Sequence, residues 1–207
     1  MVWKFIFGEV VLMVVSGFNI WSMMCLDPEQ NMQMTPKTKL LFMGGGLFMT
    51  HCWLDTVERS SSAVELAWLV VCIYFLSSSM TDIMSCYVYD WFQIWGTAAG
   101  VYLIMQSSSD IWIGCSIVIF TILQGTIFMR LYGRADGLAF LIAALALGSL
   151  GHGIKSYLLH MIISYLSLAF IQICKGNIGK KGNLKKPVPF LPYITISFWI
   201  VIKTQIS

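Results

Sequence analysis

Long apolar runs alternate with short polar breaks along the whole chain. Eight runs stand out, at about 3–25, 39–55, 62–81, 91–107, 110–130, 137–153, 154–174 and 188–205. A helix needs roughly 20 apolar residues, and about 17 at the least, to cross the hydrocarbon core of a bilayer. The pattern therefore predicts an all-α, polytopic membrane protein of about eight transmembrane helices. It forms a single integral membrane domain over residues 1–207, with almost no residues left for a soluble one. Run 39–55 carries Gly44, Gly45 and Gly46, which makes it the least regular of the eight. Runs 137–153 and 154–174 are divided only by Gly151, His152, Gly153 and Lys155, so the turn between them must be tight. The first run follows Lys4, but its apolar part exceeds a signal core and no small-x-small cleavage site is evident. It is expected to be a retained span.

Composition agrees with this pattern. The chain is 57% hydrophobic and only 11% charged, with a mean hydropathy of +0.76. Soluble domains are about half apolar and a quarter charged. Cys25, Cys52, Cys72, Cys86, Cys115 and Cys174 stand singly, with no C-x-x-C pair. That argues against a zinc ribbon or a disulfide framework and for buried free thiols. His51, His152 and His160 fall in connections or span interiors, where structural roles are expected. No metal and no cofactor is therefore expected, and no nucleic-acid partner.

Charge sets an orientation, because Lys and Arg gather in cytoplasmic loops. Lys37, Lys39, Arg130, Arg134, Lys175, Lys180, Lys181, Lys185 and Lys186 fall on one side of the predicted spans, and Lys4, Arg59, Lys155 and Lys203 on the other. The larger set is expected inside a plasma membrane, with both termini outside. Connections 82–90 and 130–136 then share the cytoplasmic face. The lysine cluster from Lys175 to Lys186 suits that topology and contact with anionic lipid.

Acids at span edges are costly and point to function. Asp27, Glu29, Asp55, Glu58 and Asp110 fall in connections, where solvation explains them. Glu9 and Glu65 lie further into spans and are expected to pair with a polar group such as Asn19 or with the backbone of another helix. Asp82, Asp90 and Asp136 remain. Asp82 closes the third span and Asp136 opens the sixth, at one depth and on one side. Two carboxylates held close cannot both ionise easily. The ionised member can take a proton from an attacking water while the protonated one hydrogen-bonds a peptide carbonyl. Asp136 gains from the dipole of the helix it opens, which makes it the candidate base. The simpler alternative is that Asp136 is an N-cap and Asp82 an interfacial acid.

Three motifs bear on that choice. "DIMSCYVYD" separates Asp82 from Asp90 by seven residues, "GRAD" ends at Asp136, 54 positions after Asp82, and "KKPVPFLPY" precedes the last run. Together they resemble the type IV prepilin peptidase family, membrane aspartyl proteases of the GxGD class. The resemblance implies that Asp82 and Asp136 are the catalytic pair and that Gly133 and Ala135 are the small positions that let the backbone approach the site. It makes Pro187, Pro189, Phe190 and Pro192 the proline-phenylalanine-proline segment that opens the last helix, where proline suits the first turn. "SGFN", Ser16 to Asn19, is a weaker, scrambled echo of the family's first helix. The order, the spacing and the common membrane side of the motifs carry the resemblance.

The chain departs from the family in places. The connection from Leu26 to Thr38 lacks the paired C-x-x-C motifs of larger members, so N-methyltransferase activity is not expected. The lysine often found soon after the second aspartate is absent, and Tyr89 stands where proline often precedes the end of D-x7-D. The resulting Tyr89-Asp90 dipeptide resembles the presenilin and signal peptide peptidase branch, where the tyrosine-aspartate pair is itself catalytic. Asp90 is thus a rival to Asp82, or an electrostatic contributor beside it. The resemblance implies an endopeptidase that removes a short basic leader from prepilin-like proteins at the cytoplasmic face, with that substrate and membrane lipids as its partners. Gly96 and Gly100 offer a small-xxx-small helix contact, either for the substrate's apolar helix or for internal packing. Arg134 either steadies a carboxylate or marks the inner face. The competing classes are a small proton- or ion-coupled transporter using the same acids and a noncatalytic membrane scaffold.

Overall fold

The computed structural model describes residues 2–30, 32–57, 60–107, 133–174 and 188–206, with Cys115, Ser116, Ile119 and Ile122 besides. The rest of the expected span 110–130, Glu58, Arg59, the lysine cluster and Pro187 lie outside these residues. Among the described residues there are seven α-helices and no strand: α1 (Val2–Leu26), α2 (Pro36–Val57), α3 (Ser62–Ser85), α4 (Asp90–Gln106), α5 (Arg134–Ser149), α6 (Ile154–Cys174) and α7 (Leu191–Ile206), with a short 3₁₀ turn at Pro28–Gln30. Each falls on one of the apolar runs. Three of them, α1, α3 and α6, are long and apolar enough to cross a membrane.

Local chemistry fixes the ends. Thr35 caps α2, its hydroxyl accepting the Thr38 N–H at 3.3 Å, and Pro36 takes the first helical position, where a missing N–H costs nothing. α2 accordingly begins three residues before the expected run. The tight turn after α5 is a Schellman motif. Gly151 adopts φ +78°, its N–H donates to Gly148 O at 3.0 Å, and the His152 N–H reaches Leu147 O at 3.1 Å. A side chain at Gly151 would meet the left-handed penalty that glycine avoids. α3 ends differently: Cys86 takes the left-handed cap at φ 54°, and its N–H donates to Asp82 O at 2.8 Å.

α3 is the centre of the bundle. It packs against α1, α2, α4 and α7, while α4 and α7 also pack on α5, and α6 joins through α5 and α7. Some 67% of its most apolar stretch is buried, against 22% for α1 and 17% for α6. The two outer helices turn large apolar side chains outward, among them Trp3, Phe7 and Trp21 on α1 and Ile162, Leu166 and Phe170 on α6. Apolar faces of that extent suit a lipid surround. Gly96 and Gly100 do not face outward. A Cβ at Gly96 would come within 2.7 Å of Tyr74 and 2.8 Å of Ile142, and one at Gly100 within 3.1 Å of Leu145. Both glycines serve internal packing of α4 between α3 and α5.

Charged groups are paired across helices. Glu65 meets Lys4, and Asp55 meets Lys203. Glu9 accepts a hydrogen bond from Thr50. The acids expected to find partners inside the bundle do so, with Lys4 and Thr50 in place of Asn19. Asp55, expected to be merely solvated, ties α2 to α7.

Candidate functional site

α3 ends where α4, α5 and α7 begin, so chain segments far apart in sequence meet at one end of the bundle. The last turns of α3 bury Ser77, Ser78, Ser79, Thr81 and Asp82. A carboxyl that is only 6% exposed needs hydrogen-bond donors to offset its lost hydration. Asp82 finds them in the backbone opening α7: its Oδ2 accepts the Leu191 N–H at 2.9 Å, and the Phe190 N–H also meets the carboxyl. These are among the N–H groups that a helix leaves unpaired in its first turn. Asp82 therefore caps α7 across 109 residues of sequence.

The segment that supplies those donors is held by packing. Phe190 is buried, with its ring 5.2 Å from that of Tyr165 and 5.9 Å from that of Phe140. Pro189 lies in the extended stretch before α7, and Pro192 is the second residue of that helix, where its missing N–H leaves no orphan.

Asp136 is the third residue of α5, after Arg134 and Ala135. Its N–H donates to Gly133 O at 3.1 Å, and its carboxyl turns back to the Gly133 N–H. That is one half of a capping box. The N-cap of α5 is thus Gly133, and Asp136, expected there as the simpler alternative, is its N3 partner; that local role does not separate it from Asp82. Both carboxyls line a partly open cavity of about 440 Å³, and Gly133, Ala135, Phe190 and Leu191 line it too. Cys86 and Val88 from the α3–α4 connection, Leu168 of α6 and Val188 complete the wall. Burial and the nearby Asp82 push the Cys86 thiol up, so it is a poor nucleophile.

Gly133 has no conformational need to be glycine. Its φ of −62° and ψ of 156° suit any residue, and among the described residues an added Cβ would meet Asp136 Oδ2, at 3.7 Å. A larger side chain at this position would crowd the Asp136 carboxyl rather than strain the chain.

Asp90 stands apart. It is the first residue of α4, exposed, and not among the residues lining the cavity. Its neighbour Tyr89 points elsewhere, donating to Asp27 Oδ2 at 3.2 Å. Burial and the Asp27 carboxylate push that phenol up to about 12. Asp27, expected to be solvated, is thus a bonded partner that ties the end of α1 to the start of α4. Arg134 is exposed at the head of α5, and the two ion pairs among the described residues are Lys4–Glu65 and Lys203–Asp55.

Sequence reasoning missed the backbone donors at Phe190 and Leu191, the wall residues Cys86, Val88 and Leu168, and the buried Tyr74 hydroxyl, which donates to Gln93 Oε1 at 3.1 Å. A residue signal exists only for Cys86, four positions after Asp82, at the cap that follows α3. No group of three or more histidine, cysteine, aspartate or glutamate side chains converges to hold a metal among the described residues. The site thus offers two carboxyls, one fixed by backbone donors from another helix, beside a partly open cavity. Comparisons with family models, with curated proteins and with solved structures found no match to this chain.

Proposed function

We propose that this protein is a membrane-embedded aspartyl endopeptidase of the prepilin peptidase type, which removes a short basic leader just before an apolar helix at the cytoplasmic face. The observation that carries the reading is that Asp82 and Asp136 line one cavity, walled by residues of both "GRAD" and "PFLP". On this reading the chain is a single multi-pass domain of about eight spans in the plasma membrane, with a GxGD-type arrangement.

The chemistry follows from the donors. An ionised carboxylate only accepts hydrogen bonds, so the converging N–H groups of Phe190 and Leu191 match Asp82 in that form. The dipole of α7 adds to the match. Asp82 is therefore the base, taking a proton from water as the water oxygen bonds to the scissile carbonyl carbon. Asp136 carries the shared proton of the pair and gives it to the carbonyl oxygen. The proton gained by Asp82 then passes to the departing amine as the C–N bond breaks, and the carbonyl re-forms with return of a proton to Asp136. This reverses the roles drawn from the α5 dipole alone, because Asp82 also faces a helix N-terminus.

The test is purified protein in vesicles with a panel of prepilin-like probes, scored by product mass, alongside proton flux across the same vesicles. Leader removal without flux is the expected result. Flux abolished by Asp136→Asn, with no cleavage of any probe, would replace the peptidase with the transporter.

A further inference from the structure

Away from the aspartates, α1 and α4 both pack on α3 but leave a slot of about 230 Å³ between them. Val15 and Asn19 of α1 form one wall, Trp91 and Trp95 of α4 the other, and Ile73 and Tyr74 of α3 the floor. The wall is open outward: Trp91 is 50% exposed and Trp95 51%, their rings meeting edge to face at 5.3 Å. The slot belongs to the half of the bundle that holds the aspartates, because α4 begins at Asp90 and α1 ends at Leu26. Tyr74 precedes Asp82 by two helical turns, or about 12 Å along α3 at 1.5 Å per residue. The tyrosine hydroxyl reaches Gln93, one turn nearer the aspartate end than Gly96, against which its ring packs.

We infer that this slot seats a side chain of the apolar helix that follows the scissile bond, so that the substrate helix packs against α1 and α4 with its leader end carried past the α3–α4 connection to Asp82 and Asp136. The inference rests on the peptidase reading and adds the surface that selects the substrate. Charge at the mouth distinguishes the occupant. Asp27, Glu29 and Asp90 stand at this end of α1 and α4, and the Asp27–Tyr89 hydrogen bond joins the two helices there. A lipid filling the slot would bring the phosphate of its headgroup against these carboxylates, and the inner leaflet is the anionic one. A polypeptide with basic residues beside its apolar helix meets them with opposite charge. Lys37 and Lys39 belong to α2, which contributes no residue to the slot. Asn19 adds an amide at a lipid-facing depth, where a helix offers hydrogen-bonding groups that an acyl chain does not.

Two synthetic probes test this. One carries a basic leader, the scissile region and an apolar helix of about 20 residues, the length of one span; the other ends before the helix. Cleavage of both by the protein in vesicles is compared for wild type, for Val15→Trp, which fills the slot from an exposed position, and for Leu166→Trp on the outward face of α6. Val15→Trp is expected to raise the ratio of KM between the helix-bearing and truncated probes about tenfold, equivalent to about 1.4 kcal/mol, with Leu166→Trp leaving that ratio unchanged. An unchanged ratio in Val15→Trp, or the same rise in Leu166→Trp, overturns the docking slot while leaving the peptidase intact. Cleavage that persists in Asp82→Asn and Asp136→Asn, or no cleavage of either probe by wild type, overturns the peptidase reading and the slot with it.

Discussion

Two buried polar clusters in this bundle look chemically promising, and they differ in what surrounds them. Between α6 and α7, Ser197 Oγ lies 2.8 Å from His160 Nδ1 and also meets Ser164, which is within the reach expected of a serine nucleophile and its base. All three residues are fully buried, however, and the imidazole is ringed by Phe140, Tyr157 and Phe198. The hydroxyls donate back to main-chain carbonyls, Ser164 to His160 O and Ser197 to Ile194 O. At the other cluster, Asp82 and Asp136 border about 440 Å³ of partly open space. Hydrogen-bond distance alone would rank the serine and histidine first. Access reverses the order: a sealed cluster joins helices, whereas a pair beside a cavity can meet a substrate.

Substitutions on the two sides sharpen that contrast. The largest expected effect is at the carboxyls, where Asp82→Asn lowers single-turnover leader cleavage by about a thousandfold, within the range of a lost general base, with the amount of folded protein unchanged. Next comes His160→Ala, which leaves a cavity and takes away one of the hydrogen-bond partners of Ser197. It is expected to lower stability by about 2–3 kcal/mol in a denaturation assay, while cleavage by the folded fraction stays near wild type. Comparable loss of cleavage in both variants would erase the distinction between the clusters.

Leu191→Pro probes the backbone donor. Proline fits the first position of a helix, so α7 is preserved while the N–H that Asp82 accepts is removed. A fall of about tenfold in kcat is expected, of the order of one charge-assisted hydrogen bond. An unchanged kcat would mean that Asp82 does not depend on α7. The smallest effect is at Gly133→Ala, which should stay within about twofold of wild type in kcat/KM, since its backbone is ordinary and the new Cβ makes a normal contact. A large loss there would mean that the site needs the backbone approach that only a glycine at this position allows.

Hydropathy made the helices legible because each run must satisfy its own backbone. The turn at Gly151 and the start at Pro36 could be read from residues whose conformational preferences are local. The aspartate pair was legible as spacing within motifs. Its support was not: the bond from Leu191 to Asp82 joins positions 109 apart, and no local pattern encodes which backbone a carboxyl will cap. The same holds for Tyr89 and Asp27, 62 apart. That bond turns the tyrosine of the "YD" dipeptide toward α1, a fact invisible in the dipeptide itself.

The most direct test of the pair is leader removal from a tagged prepilin-like substrate, scored by mass in cells producing wild type, Asp82→Asn, Asp136→Asn or Asp90→Asn at equal levels in the membrane. Cleavage lost in the Asp82 and Asp136 variants and retained in Asp90→Asn is the predicted result. Cleavage that survives Asp136→Asn, or that is lost with Asp90→Asn and kept with Asp82→Asn, would contradict the assignment of the pair.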